Sequence, residues 1–237
     1  MKRTTDWIRF RFWLLRDSLK NQIRGKAHRQ TVFQQIYDQN LWGDTESVSG
    51  TGSGTVATKA IRCDLPALLE RFGVRSVLDA PCGDFYWMNE IAKSVQNYVG
   101  VDIVPSLINR NVTIYGAPTV SFIKADITGD PLPCADLVLC RDCFIHFPTR
   151  MIRRTLRNFR ATGARYLLMT NDRDAEPYHD IPIGSFRRVN FTHDPFSFPA
   201  PICSLSEDES DSRQLCLWEF QSLPVKWVGS SLLPHSS

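Results

Sequence analysis

From residue 75 onward the chain alternates short apolar runs with longer amphipathic stretches. Residues 76–78, 98–101, 120–123, 136–140 and 166–169 are each of strand length and almost free of charge. Between them lie a helix-like stretch over 86–95, a helix opened by Pro105 and running to about Tyr115, and a helix over 149–160. The last places Met151, Ile152, Leu156 and Phe159 on one face. Continuous apolar strands separated by helices are buried on both faces, the mark of parallel βαβ units. Residues 215–220 read as a further strand, preceded by a weaker one near 201–205. No helical segment separates these two, so they are expected to pair antiparallel at an edge. Upstream, residues 31–37 read as a short helix broken by Asn40-Leu41-Trp42-Gly43-Asp44, and residues 55–72 as a second helix. The pattern predicts a doubly wound, mostly parallel α/β sheet with an antiparallel C-terminal edge, in one large domain over residues 31–237.

Composition changes this picture at one end only. Hydrophobic residues make up 43% and charged residues 22% of the chain, an ordinary balance for a domain with a real core. The net charge of +3 is unevenly spread, because residues 1–30 hold nine Lys/Arg against Asp6 and Asp17. The remainder is mildly acidic. The run from Trp7 to Leu15 is apolar but interrupted by Arg9 and Arg11, and no small-residue cleavage site follows, so it does not read as a secretory signal. Two readings fit this basic extension: an amphipathic helix making peripheral contact with a membrane surface, and a helix packed on the domain with solvated arginines. No apolar run is long enough to span a membrane. The seven cysteines are odd in number and most sit in apolar stretches, which points to a reducing, cytoplasmic setting. Cys140 and Cys143 form a lone CxxC without a second pair, so no metal is expected there.

Candidate chemistry lies where such sheets put it, at the carboxyl ends of the strands. Asp79, Asp102, Asp126 and Asp142 follow the first four strands in turn, at separations of 23, 24 and 16 residues. One aspartate there reads as a helix cap; four in succession at one edge read as a site. The first turn, Asp79-Ala80-Pro81-Cys82-Gly83-Asp84, lacks the G-x-G-x-x-G that lets a backbone approach a pyrophosphate, and Asp84 would repel a phosphate. Asp102 stands where a carboxylate holds both ribose hydroxyls. Together these residues ask for a nucleoside without phosphates that carries positive charge, a description S-adenosylmethionine fits. The Ser/Gly-rich stretch over 46–54 reads either as a linker or as a loop of backbone N–H groups over the ligand.

Here the residues carry a resemblance. Val77-Leu78-Asp79-Ala80-Pro81-Cys82-Gly83-Asp84 resembles the first motif of class I S-adenosylmethionine-dependent methyltransferases. Gly100-Val101-Asp102-Ile103 is similar to their second, Ala125-Asp126-Ile127 to the adenine-side motif, and residues 136–140 to the fourth strand. Trp42-Gly43, Glu46-Ser47-Val48-Ser49-Gly50, the Leu-Asp-Ala-Pro-Cys-Gly-Asp run and Cys140-Arg141-Asp142 with His146 resemble, more narrowly, a little-characterised bacterial group. The resemblance covers about residues 33–221. It departs from the common E/D-x-G-x-G-x-G form in having Pro81 for the first glycine and Phe85 for the third.

The resemblance implies a cofactor site of Asp79, Pro81, Gly83, Asp84, Asp102, Ile103, Asp126, Ile127 and Cys140. Gly83 would meet the methionine part, Asp79 would orient the loop and the ammonium, Asp102 would hold the ribose, and Asp126 with Ile127 would flank adenine. Methyl transfer to a hydroxyl also needs a base, for which Asp142 and His146 just past the fourth strand are the candidates. The long polar and aromatic insertion over 171–198, with Tyr178, His179, Asp180, Arg187, Arg188 and His193, reads as a lid for a small-molecule or saccharide acceptor. The absence of Asn/Asp-Pro-Pro-Tyr after the fourth strand argues against base methylation. The arginines at 150, 153, 154, 157 and 160 read as a solvated face without interleaved aromatics. A nucleic-acid methyltransferase and a non-catalytic cofactor-binding partner of a membrane enzyme remain the alternatives.

Overall fold

The computed structural model describes residues 25–207 and 212–228. Within them, seven strands form one sheet: β1 (Ser76–Asp79), β2 (Asn97–Asp102), β3 (Val120–Lys124), β4 (Leu137–Cys140), β5 (Tyr166–Asp172), β6 (Cys203–Ser206) and β7 (Arg213–Glu219). Their spatial order is β3-β2-β1-β4-β5-β7-β6. The first five are parallel, and β7 runs antiparallel to both β5 and β6. This is the Rossmann-like arrangement of class I methyltransferases, with the antiparallel C-terminal edge the pattern predicts. The helices are α1 (Lys26–Asp38), α2 (Lys59–Arg71), α3 (Pro105–Tyr115), α4 (Thr149–Ala161) and a short α5 (Val225–Val228).

Side chains alternate across the pleat, so neighbouring strand residues feed two separate cores. Leu78, Val138, Leu167 and Trp218 face one cluster, with Ile152, Leu156 and Phe159 of α4 and Val32 and Ile36 of α1. Val77, Leu139, Leu168 and Leu217 face the other, with Ile61, Leu65 and Leu68 of α2. β1, β2, β4, β5 and β7 are therefore apolar on both faces, which is why these runs show little polar alternation in the sequence.

Three elements differ from the sequence reading. Residues 86–95 form turns and a single 3-10 turn (Ile91–Ser94) instead of a regular helix. Phe85, Trp87, Met88, Ile91 and Ala92 are buried while Glu90 and Lys93 are exposed and paired at 3.0 Å, so the segment keeps an apolar and a polar side without regular helical hydrogen bonding. Strand β5 runs three residues beyond its apolar part, through Thr170, Asn171 and Asp172, all buried. There Asn171 accepts the N–H of Phe191 at 2.7 Å and Asp172 that of Val189 at 3.2 Å, so the polar tail docks the insertion that follows. The α1 helix begins at Lys26, so residues 25–30, counted above with the basic extension, are continuous with the domain. The rest of the extension lies outside the described residues. Among the described residues no helix is long and apolar enough to cross a membrane.

Candidate active site

Parallel register sets Asp79 beside Gly100 and Leu139, and the carboxyl ends of β2, β1 and β4 come together where the strand order reverses between β1 and β4. They open on a cavity of about 1050 Å³, its mouth included. Asp79, Pro81, Gly83, Asp84, Asp102, Ile103, Asp126 and Ile127 all line it, as do Asp142 and His146. Cys140 does not: its side chain lies in the core cluster under α4, and Cys143, three residues on, is in the wall.

The floor of the cavity is acidic and buried. Burial pushes the Asp79 carboxyl up to about 7, although the Tyr98 hydroxyl donates to it at 2.5 Å. Burial likewise pushes Asp102 up to about 6 against the N–H groups of Val104, at 3.0 Å, and Gly83, at 3.3 Å. Among the described residues neither carboxylate is in an ion pair. Gly83 itself has φ +53°, a left-handed conformation, and a Cβ there would sit 2.3 Å from the Ser49 hydroxyl.

Asp84 is tied to the chain. One carboxylate oxygen accepts the Ser47 hydroxyl at 2.9 Å and the Val48 N–H at 3.0 Å, and the other accepts the Ser49 hydroxyl at 3.2 Å. The Ser49 oxygen in turn accepts the N–H of Asp84 at 3.0 Å. The stretch over 46–54 is thus latched onto the first-motif turn, which settles it as a loop against the cavity and not a free linker. Asp126 is also engaged, with Arg29 at 2.8 Å and 2.6 Å on one oxygen and the Thr128 N–H and hydroxyl on the other. Lys26 pairs with Asp130 beside it, so α1 is held across the cavity, presenting Phe33, Ile36 and Tyr37 to it.

Past β4 lies a buried ionic cluster. Arg141 makes a bidentate pair with Glu207, at 3.0 Å and 2.7 Å, and donates to the Gly52 carbonyl at 2.7 Å. Its remaining nitrogen lies 3.3 Å from Asp142, which is also paired with Arg213 and accepts the Thr170 hydroxyl at 3.2 Å. Burial pushes the Asp142 carboxyl up, but the guanidinium charges of Arg141 and Arg213 outweigh it and hold the group below the usual carboxylate value. His146 is different. Its Nδ1 lies 2.8 Å from the Ser185 carbonyl, which can only accept, so Nδ1 carries the proton and Nε2 is a free acceptor in the neutral ring. Burial lowers its pKa, opposed in part by the Ser185 carbonyl and Asp142, so the ring is neutral at physiological pH. Trp42 stacks on it at 4.7 Å and 21°.

The polar residues of the insertion serve its own structure. Asp180 accepts the N–H of Thr149 at 2.7 Å, completing the first turn of α4. The Tyr178 hydroxyl meets Thr149 at 2.6 Å and the buried Arg187 at 2.8 Å, while His179, Arg188 and His193 are exposed. On α4, Arg154 reaches the Thr128 carbonyl and Arg160 the Phe220 carbonyl, so that arginine face is partly structural. Sequence reasoning missed Arg29, Phe33, Glu207 and Arg213 as parts of the site. Glu207 and Arg213 flank the edge hairpin and reach the site only through its fold, which no local pattern reveals.

Residues 77–163 match the family described as methyltransferase domain, the span from β1 through α4 that carries every lining residue of the acidic series. No curated protein matches the chain. Among solved structures, the N-methyltransferase NodS from Bradyrhizobium japonicum WM9 in complex with S-adenosylhomocysteine is 17% identical, with 60% of this chain and 74% of that one covered, at a TM-score of 0.49. Magnesium protoporphyrin IX methyltransferase from Synechocystis PCC 6803 with bound S-adenosylhomocysteine is 15% identical over 62% and 74%, at 0.48. The methyltransferase domain of bacterial CtHen1 is 14% identical over 50% and 68%, at 0.45. The matched span, residues 77–163, holds the acidic end of this sheet, and there the chain is similar to a methyltransferase domain.

Proposed function

We propose that this enzyme methylates a hydroxyl of a small molecule or saccharide, with His146 as the proton acceptor. The observation that carries this reading is the fixed tautomer of His146, a neutral imidazole that lines the same cavity as the acidic series. A cofactor with a positively charged sulfonium and ammonium fits two buried carboxylates that make no ion pair among the described residues. When bound, S-adenosylmethionine would supply a methyl group already activated by its sulfonium. Asp102 would accept the ribose hydroxyls, Ile103 and Ile127 would flank the adenine, and Pro81, Gly83 and Asp79 would shape the turn that meets the methionine part. The enzyme then has to align the acceptor oxygen, exclude water and take its proton. Asp142 is ill suited to that last step, since its carboxylate is already held by two guanidinium groups and is a weak base. It holds Arg141 and Arg213 together in the buried cluster past β4.

The two assignments separate in a pH profile of turnover at saturating cofactor. A histidine base predicts that turnover is lost as pH falls through a pKa below 6.5, because only the neutral ring accepts a proton. An Asp142 base predicts a flat profile above about pH 4. His146→Ala should lower turnover by about 10²-fold with S-adenosylhomocysteine affinity unchanged. Wild-type turnover in that variant would remove His146 from the role.

A further inference from the structure

The cavity has two chemically different ends. Asp102 stands two strands along the sheet from the β4 end that carries His146, about 10 Å at the spacing of neighbouring strands. At the His146 end the walls are rings. Trp42 stacks on His146 at 4.7 Å, Phe33 lies 6.5 Å from Trp42 and 5.9 Å from Phe147, and Phe186 stands 6.0 Å from His146. Phe186 is 59% exposed, an unusual position for phenylalanine, and its ring stands on the solvent side of His146. Most of the charged groups nearby are engaged within the protein, while Trp42 Nε1 is a buried donor without a partner among the described residues. Asp142 and Arg141 hold each other, Arg213 and Glu207, while Tyr178, Asp180 and Arg187 of the insertion hold α4 and Phe144. A saccharide buried here would leave most of its hydroxyls without partners, whereas a flat apolar ring would lose nothing.

We infer that the acceptor is a planar aromatic compound bearing one acidic hydroxyl, held between Trp42 and Phe186 with that hydroxyl on Nε2 of His146. This rests on the proposed function and narrows it from small molecules and saccharides to phenol-type acceptors. A phenolic oxygen gives its proton to the imidazole as it forms its bond to the methyl carbon. The bond from that carbon to sulfur breaks with both electrons going to sulfur, leaving an aryl methyl ether, S-adenosylhomocysteine and one proton on His146. Trp42 and Phe186 act as specificity residues, and neither touches the acidic end.

The test uses the full chain saturated with S-adenosylhomocysteine, titrated with 2-naphthol or with methyl glucoside by calorimetry. The inference predicts that 2-naphthol binds and methyl glucoside does not. Phe186→Ala and Trp42→Ala should each weaken 2-naphthol at least fivefold and change S-adenosylhomocysteine affinity less than twofold. Phe186 is exposed, so its truncation tests the claim even where Trp42→Ala disturbs folding. Binding of methyl glucoside in place of 2-naphthol, or unchanged 2-naphthol affinity in Phe186→Ala, would overturn it. Failure to bind S-adenosylhomocysteine would instead overturn the reading on which it rests.

Discussion

Asp102 and Asp79 carry the consequence of burying acid without a counter-charge. In the free protein burial raises their pKa values to about 6 and about 7. A ligand that hydrogen-bonds to, or neutralises, the ionised form binds the deprotonated protein more tightly. Affinity is therefore complete above these values and is lost as pH falls through them. For Asp102 alone, S-adenosylhomocysteine affinity should fall about tenfold between pH 8 and pH 5. Calorimetry across that range tests this, and Asp102→Asn should flatten the Asp102 part of the dependence. A pH-independent affinity in the wild type would mean that neither carboxylate meets the ligand. At this scale the sequence was informative about which residues meet at the cavity and less so about what each one does. Asp84 and Asp142 follow strands as a ligand-binding aspartate would, yet Ser47, Ser49, Arg141 and Arg213 occupy them. Those partners come from far along the chain, so spacing alone cannot reveal them.

At the scale of elements, the loop over 46–54 and α1 are the parts that make a cavity from a sheet edge. Its composition left the loop open between linker and lid, because Ser and Gly suit both. Four hydrogen bonds between Asp84 and residues 47–49 decide it. Their loss on Asp84→Ala should free the loop, since hydrogen bonds to a charged group contribute about 1.5–3 kcal/mol. Limited proteolysis should then cut within 46–54 at protease levels that leave the wild type intact, and S-adenosylhomocysteine should bind at least tenfold more weakly. A variant as resistant as the wild type would show that the latch does not hold the loop. The central strands were legible because they are apolar on both faces. Residues 86–95 have the apolar and polar sides of a helix, yet fold as turns and one 3-10 turn, a difference in backbone hydrogen bonding that side-chain pattern does not reveal.

For the molecule as a whole, the parallel core and the antiparallel edge follow from the alternation of runs along the chain. The boundary at residue 30 does not, since Lys26 and Arg29 look like part of a basic tail until Asp130 and Asp126 are seen beside them. The central claim is that this cavity takes an S-adenosyl cofactor and refuses a dinucleotide. It rests on a turn without pyrophosphate glycines and on two buried carboxylates that make no ion pair among the described residues. Calorimetric titration of the purified chain with S-adenosylhomocysteine and, separately, with NAD tests it directly. The account predicts one saturable site for S-adenosylhomocysteine and no heat of binding for NAD. Binding of NAD, or silence toward S-adenosylhomocysteine at pH 8 where both aspartates are ionised, would contradict it.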